Sequence, residues 1–209
     1  MSQPVLICRP GKRGEALAAA LRERGESVES LNVMQLEALP DTPEMRRIWL
    51  DIDQYHKIIV ISPFAATCLN EALDRFWPQL PIGIDYYSVG SATAATLYNQ
   101  LGVRVHVPSP SAGEDTSEAL LALASLQQLA HQRILLVAGE GGRPLLAETL
   151  TERGAQVTRV AVYRRTFHPL EPALQTRLFS GNYRALIVTS SELLEHLAKW
   201  CNQAALNQP

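Results

Sequence analysis

Residues 156–168, Gln-Val-Thr-Arg-Val-Ala-Val-Tyr-Arg-Arg-Thr-Phe-His, repeat a pattern found near the start of the chain, and this repeat constrains the fold more than any other feature. Shifted by 129 positions, Leu17, Ala18, Leu21, Glu23, Arg24, Gly25, Val28 and Val33 fall on Leu146, Ala147, Leu150, Glu152, Arg153, Gly154, Val157 and Val162, which is 8 identities in the 17 positions from 17 to 33. A shift of 128 places Tyr55, Ile59, Val60 and Ser62 on Tyr183, Ile187, Val188 and Ser190. A period so far above the ~20–50 residues of a solenoid implies two similar domains rather than an array. Tyr163 then takes the place of Met34, where each copy leaves its first unit. The chain is expected to cross between domains there, which would put Tyr163 at the mouth of an interdomain cleft. The implied division is 1–34 with 168–209 as a discontinuous domain one and 37–163 as domain two, joined by two crossing strands.

Within each copy, short apolar runs alternate with helical spacing. Val5–Cys8 and Ser27–Val33 read as strands around a helix over about 14–24 that Gly25 terminates, which makes a β-α-β unit. Strands follow at 57–61, 86–89, 103–107, 133–138 and 184–189, with helices after Ser62-Pro63, Gly90-Ser91 and Ser190-Ser191. Residues 34–43, with two prolines, read as a linker and 108–113 as a loop; Asp115 and Glu118 have capping-box spacing for a helix from 116 to about 129. The alternation places the chain in the α/β class, with a parallel sheet covered on both faces in each domain. The repeat also calls for a third unit near 214–235, beyond Pro209, with Asn202–Pro209 as the linker before it, so domain one is expected to lack a C-terminal part.

Composition excludes several function classes. At 46% hydrophobic and 19% charged residues the chain can bury two cores, which argues against disorder. A net charge of −2 provides no basic footprint for nucleic acid. Cys8, Cys68 and Cys201 are odd in number, far apart and set among apolar neighbours, as expected for buried thiols in a reducing compartment. No run reaches the ~18 apolar residues of a membrane span, and no leader pattern opens the chain, so a cytoplasmic location is expected. The five histidines have no metal-ligand spacing, and no metal or organic cofactor is implied.

In open α/β sheets, ligands bind beyond the carboxyl ends of the strands, where helix N-termini present unpaired N–H groups. Five turns qualify: Arg9–Gly14, Ser62-Pro63-Phe64, Gly90-Ser91-Ala92-Thr93, Gly139-Glu140-Gly141-Gly142-Arg143 and Thr189-Ser190-Ser191. Singly, each is accounted for as a helix cap. As a set they suit a ligand with several separated anionic groups, to which Arg9 and Arg143 add guanidinium donors. Gly139–Gly142 has neither the dinucleotide nor the Walker spacing. The residues alone lead to a two-domain binder of a multiply charged small molecule, either an enzyme or a non-catalytic binding protein for a polyanionic ligand.

Taken in order, Arg9-Pro10, Ser62-Pro63, Val89-Gly90-Ser91-Ala92-Thr93-Ala94, the Gly139–Leu146 turn and Val162-Tyr163-Arg164 resemble the uroporphyrinogen-III synthase family. The resemblance covers nearly the whole chain and implies a cofactor-free, monomeric enzyme with two α/β domains and a two-stranded connection. Its reaction would cyclise hydroxymethylbilane, a linear tetrapyrrole with eight carboxylates, to uroporphyrinogen III with loss of water and inversion of the last ring. Tyr163 matches the cleft tyrosine and is the expected proton donor; a phenol, with a reference pKa of about 10, is protonated at neutral pH. Thr93 matches a cleft threonine. Arg9, Ser62, Phe64, Ser91, Ala92, Gly139, Gly141, Arg143, Ser190 and Ser191 are the remaining expected substrate contacts. A Gly-Pro-Thr-Thr-like segment of the family has no counterpart in this chain.

Overall fold

The computed structural model describes residues 2–110 and 115–206, with side-chain surroundings up to residue 202, and divides the chain into two units. One comprises the residues up to Gln35 together with those from Arg165 onward; the other is Leu36–Arg164.

In the first unit β1 (Val5–Cys8), buried at all four positions, lies between β2 (Val28–Ser30) and β9 (Ala185–Val188), parallel to both. Successive side chains of a strand point to opposite faces, so this continuous apolar run serves two layers. Val5 and Ile7 pack with Ala18 of helix α1 (Lys12–Glu23), while Leu6 and Cys8 pack with Leu178 of α7 (Pro172–Ser180) and Leu193 and Leu197 of α8 (Ser191–Leu206). Burial pushes the Cys8 thiol up to about 11, in keeping with an inert structural cysteine.

The second unit is built on a sheet ordered β3 (Met34–Ala38), β8 (Gln156–Phe167), β7 (Arg133–Gly139), β4 (Lys57–Val60), β5 (Asp85–Ser88) and β6 (Val105–His106). From β8 to β6 every neighbour is parallel. Ile58, Val60, Leu135 and Val137 face a core closed by Trp49 of α2 (Pro43–Leu50), Leu69 and Leu73 of α3 (Pro63–Phe76) and Leu97 of α4 (Ser91–Leu101). Ile59, Ile134 and Leu136 face the other core, with Leu120 of α5 (Ser117–Leu121) and Leu146 and Leu150 of α6 (Leu145–Glu152). Each such side chain contributes on the order of 1.5–3 kcal/mol when fully buried.

Four local expectations are corrected. Met34–Ala38 is not linker but strand: Leu39 N–H donates to Val162 O, Thr166 Oγ1 to Gln35 O and His168 N–H to Val33 O, so β3 runs antiparallel to β8. The helix expected from 116 to about 129 stops at Leu121 and is followed by a 3₁₀ turn at Ala124–Leu126. Its exposed carbonyls are taken by side chains, Gln127 Nε2 on Leu121 O and Arg153 Nη1 on both Leu121 O and Leu126 O. Its cap is Thr116, whose hydroxyl accepts from Ala119 N–H, rather than Asp115. From Asn202 to Leu206 the backbone is the last part of α8, not linker; residues 111–113 of the expected loop and 207–209 of the expected linker lie outside the described residues.

The Tyr86 hydroxyl sits in the second unit's core with no hydrogen-bond partner among the described residues, and burial pushes its pKa up to about 12. An unsatisfied buried hydroxyl costs roughly 1–3 kcal/mol. Tyr86→Phe is therefore expected to stabilise, raising Tm by about 2–4 °C for each kcal/mol recovered in a chain of this size. Thermal unfolding checks this, and a lower Tm would contradict it.

Candidate active site

In the Leu36–Arg164 unit the chain reverses at the carboxyl ends of three adjacent parallel strands, β5, β4 and β7, whose registers align Val60 with Ser88 and with Val137. Ser62 caps α3, its hydroxyl accepting from Ala65 N–H at 3.2 Å. The same Oγ lies 2.9 Å from the Tyr163 hydroxyl, 101 residues away. The cap bond uses one lone pair of Ser62, leaving its proton free to be donated to the phenol oxygen, which releases the phenol proton to an outside acceptor.

Tyr163 is held there by its backbone and its ring. The β7–β8 register slips between Ala138 and Gly139, so Gly139 opposes Tyr163 and one residue of β8 is unmatched. Such a bulge turns a side chain to the other face. Val162 and Tyr163, although consecutive, are both buried in the same core. The ring lies on Gly139, where a Cβ would come within 2.6 Å of Tyr163 Cζ, and the Phe64 ring meets it edge-on at 5.2 Å. Tyr163 O accepts Glu140 N–H at 2.8 Å, which closes the bulge.

The remaining expected contacts of this unit are less open than the sequence suggests. Ser91 N–H is directed at the carboxylate of Asp115, at 3.3 Å. Ala92 is exposed, but Thr93 is 2% exposed and belongs to the interior. Arg143 does not open a helix; α6 starts at Leu145 after Pro144. Its guanidinium pairs with Glu118, which holds that carboxylate below its usual range. The Gly141 and Gly142 backbone, at φ 74 and 87, has the left-handed conformation that glycine adopts without strain. Arg159 of β8, a residue without a sequence signal, fastens this turn by donating to Gly139 O and Gly141 O. Glu140 N–H is not free for a ligand, which removes one of the expected carboxylate-binding donors.

Arg9, Ser190 and Ser191 belong to the first unit. Cys8 pairs with Val188, so the turns after β1 and β9 begin side by side. Ser190 caps α8 through Leu193 N–H at 3.1 Å. Gly14 has no side chain because a Cβ there would collide with Arg9 O at 1.8 Å, so α1 starts directly against the Arg9 carbonyl.

A family model described as uroporphyrinogen-III synthase HemD matches residues 15–208. The chain belongs to the uroporphyrinogen-III synthase family. The uroporphyrinogen-III synthase of Salmonella typhimurium is 32% identical over 194 residues, covering 92% of this chain and 78% of that protein, and that of Escherichia coli is 30% identical with the same coverage. The Proteus mirabilis enzyme is 34% identical over 163 residues, 78% of this chain and 80% of its own length. A crystal structure of mutant uroporphyrinogen III synthase from Thermus thermophilus has the same fold, with TM-score 0.65, 23% identity, and coverage of 94% of this chain and 77% of that one. The Helicobacter pylori uroporphyrinogen-III synthetase structure is more distant in sequence, with TM-score 0.52 and 14% identity, and covers 99% of both chains. The family assignment makes this chain a cyclising hydro-lyase of haem biosynthesis.

For a uroporphyrinogen-III synthase the seat of the tyrosine is open to direct test. Gly139→Ala is expected to push the Tyr163 ring off its place and lower the rate of isomer III formation to about that of a Tyr163→Phe variant; an unchanged rate would show that the ring does not depend on this contact. Ser62→Ala is expected to cost about 1 kcal/mol through loss of the α3 cap, seen as a lower denaturation midpoint, together with a fall in turnover. Loss of stability without loss of turnover would limit Ser62 to capping.

Proposed function

We propose that this chain converts hydroxymethylbilane to uroporphyrinogen III, with Tyr163 as the group that assists departure of the terminal hydroxyl. The observation that carries this reading is the fixed phenol: its oxygen is 2.9 Å from Ser62 Oγ, its ring rests on Gly139 and its backbone carbonyl holds Glu140 N–H.

The chemistry needs little from the protein at the first step. The hydroxymethyl carbon is attached to an electron-rich pyrrole. When Tyr163 donates its proton to the hydroxyl oxygen, the C–O bond breaks, water leaves, and the pyrrole nitrogen, keeping its own proton, supplies the electron pair that forms a protonated azafulvene; the proton lost at the final closure restores the phenol. The substituted carbon of the fourth ring then attacks the exocyclic carbon to give a spiro intermediate. Breaking one bond of that spiro centre and reclosing at the other ring position, with loss of a proton, yields the inverted macrocycle. The bilane also closes spontaneously without inversion, so the enzyme must hold the fourth ring for attack through its substituted carbon. Of the expected carboxylate-binding positions, Arg9 and Ser191 offer accessible side chains with no hydrogen-bond or ion-pair partner among the described residues, whereas the Ser190 hydroxyl caps α8.

Tyr163→Phe keeps the ring and removes only the donor. Positioned acid catalysis contributes about 10²–10⁴-fold, and the expected loss is at or below the lower end because this hydroxyl leaves readily. Product affinity should stay the same, and the fraction of uninverted isomer I should rise as the enzymatic rate falls. The measurement is the ratio of isomers III and I from freshly prepared bilane. A variant with unchanged rate and ratio would restrict Tyr163 to packing.

A further inference from the structure

In the first unit, an open recess at the carboxyl ends of β1 and β9 is lined by Arg9, Arg13 and Arg165 together with Thr189, Ser190 and Ser191. Among the described residues none of these three guanidinium groups forms an ion pair or a side-chain hydrogen bond. Glu192, the single acidic residue lining the recess, pairs with none of them. Five arginines elsewhere are ion-paired, Arg75 with Asp41, Arg143 with Glu118, Arg164 with Glu37, Arg177 with Glu29 and Arg184 with Glu26, while others such as Arg46 and Arg47 stand singly on the surface; what sets Arg9, Arg13 and Arg165 apart is that three of them line one recess. Three unpaired like charges over one recess, on a chain of net charge −2, repel one another unless an anion joins them.

The backbone fixes where the three arginines start. Arg9 O lies against Gly14, which places Arg13 in the first turn of α1 beside the β1 end. Arg165 precedes Thr166, whose hydroxyl is bonded to Gln35 O, in the part of β8 paired with β3. Strand alternation sends Arg164 to Glu37 and leaves Arg165 on the opposite face.

We infer that Arg9, Arg13 and Arg165 form a binding site for the adjacent pair of carboxylates on one ring of the tetrapyrrole. This rests on the function proposed above, since a substrate with eight carboxylates on four rings presents two per ring. Guanidinium groups meet carboxylates through parallel N–H donors, so three of them serve two carboxylates where a single one would serve a tetrapyrrole with one carboxylate per ring. The site therefore selects for ring substitution as well as for charge.

The test uses the purified full chain and fluorescence titration with uroporphyrin III, which carries eight carboxylates, and coproporphyrin III, which carries four. Arg13→Gln and Arg165→Gln are each expected to weaken uroporphyrin III binding about tenfold, the loss of one charge-assisted pair. The double variant is expected to lose most of the preference for uroporphyrin over coproporphyrin, while Arg46→Gln, an exposed arginine of α2 in the other unit, leaves both affinities unchanged. Both recess side chains are exposed, so the variants should melt with the parent. A double variant that keeps both the affinity and the preference of the parent overturns the inference. Isomer III formation by the parent is measured separately. Arginine-dependent binding without isomer III sinks the enzymatic reading and supports the recess; turnover with undiminished binding in the double variant does the reverse. A parent that neither binds nor turns over removes both.

Discussion

The structure depends on the pairing of β8 with two different partners. Its first part is parallel to β7, in register from Arg133 and Gln156 to Ala138 and Ala161, and its later part runs antiparallel to β3. A strand with hydrogen bonds on both sides cannot slip without losing both ladders, and a slip of one residue would reverse every side chain. Val160 and Val162 are thereby committed to the core of the second unit, Arg159 to the Gly-rich turn and Arg165 to the recess of the first. One strand thus supplies the tyrosine, the turn it rests beside and one of the three cationic side chains.

The slip at Gly139 is what makes the tyrosine usable. In unbroken alternation Val162 and Tyr163 would face opposite sides of the sheet, and the phenol would point away from Ser62. The extra residue turns it, and the missing side chain at Gly139 gives the ring its place. Neither device is costly. Glu140 N–H finds Tyr163 O, the carbonyls of Gly139 and Gly141 find Arg159, and Gly141 and Gly142 take positive φ without a side-chain penalty.

Much of this was legible in the sequence because the fold repeats itself and its buried strands are continuous apolar runs. The repeat calls for 5–8 and 184–189 in one sheet and 57–61, 86–89 and 133–138 in another, and the structure has Val5–Cys8 with Ala185–Val188 in one and Lys57–Val60, Asp85–Ser88 and Arg133–Gly139 in the other. Local reading failed where partners far along the chain decide the outcome. Met34-Gln-Leu-Glu-Ala38 has no strong strand composition and is a strand because β8 supplies its hydrogen bonds. The helix after Thr116 is cut short because Gln127 and Arg153 satisfy its carbonyls and the following leucines return to the core. At the site, Ser62, Phe64, Gly139 and Tyr163 were all named from sequence, but their mutual contact spans 101 residues and a bulge that no motif records. Arg13 is marked only as part of the Arg9–Gly14 turn, and Arg159 and Arg165 carry no signal of their own, since an arginine on a surface is ordinary until its surroundings are seen.

The candidate sites of the two units differ in how their donors are engaged. In the second unit most of the donors that a row of helix N-termini promises are already used: Ala65 N–H by Ser62, Ser91 N–H by Asp115, Glu140 N–H by Tyr163, and the Arg143 guanidinium by Glu118. At Ser91 and Arg143 an incoming carboxylate must displace one carboxylate with another, which gains little, because the desolvation and the pairing nearly cancel between like groups. In the first unit the guanidinium groups of Arg9, Arg13 and Arg165 have no ion-pair partner among the described residues, so a carboxylate there would displace none. Interactions that hold the substrate equally before and during the reaction lower its concentration requirement, whereas acceleration comes from contacts that strengthen as the C–O bond breaks. The tyrosine of one unit and the recess of the other are thus candidate sites of different kinds, the first fixed by packing and by Ser62, the second defined by three guanidinium groups around one opening.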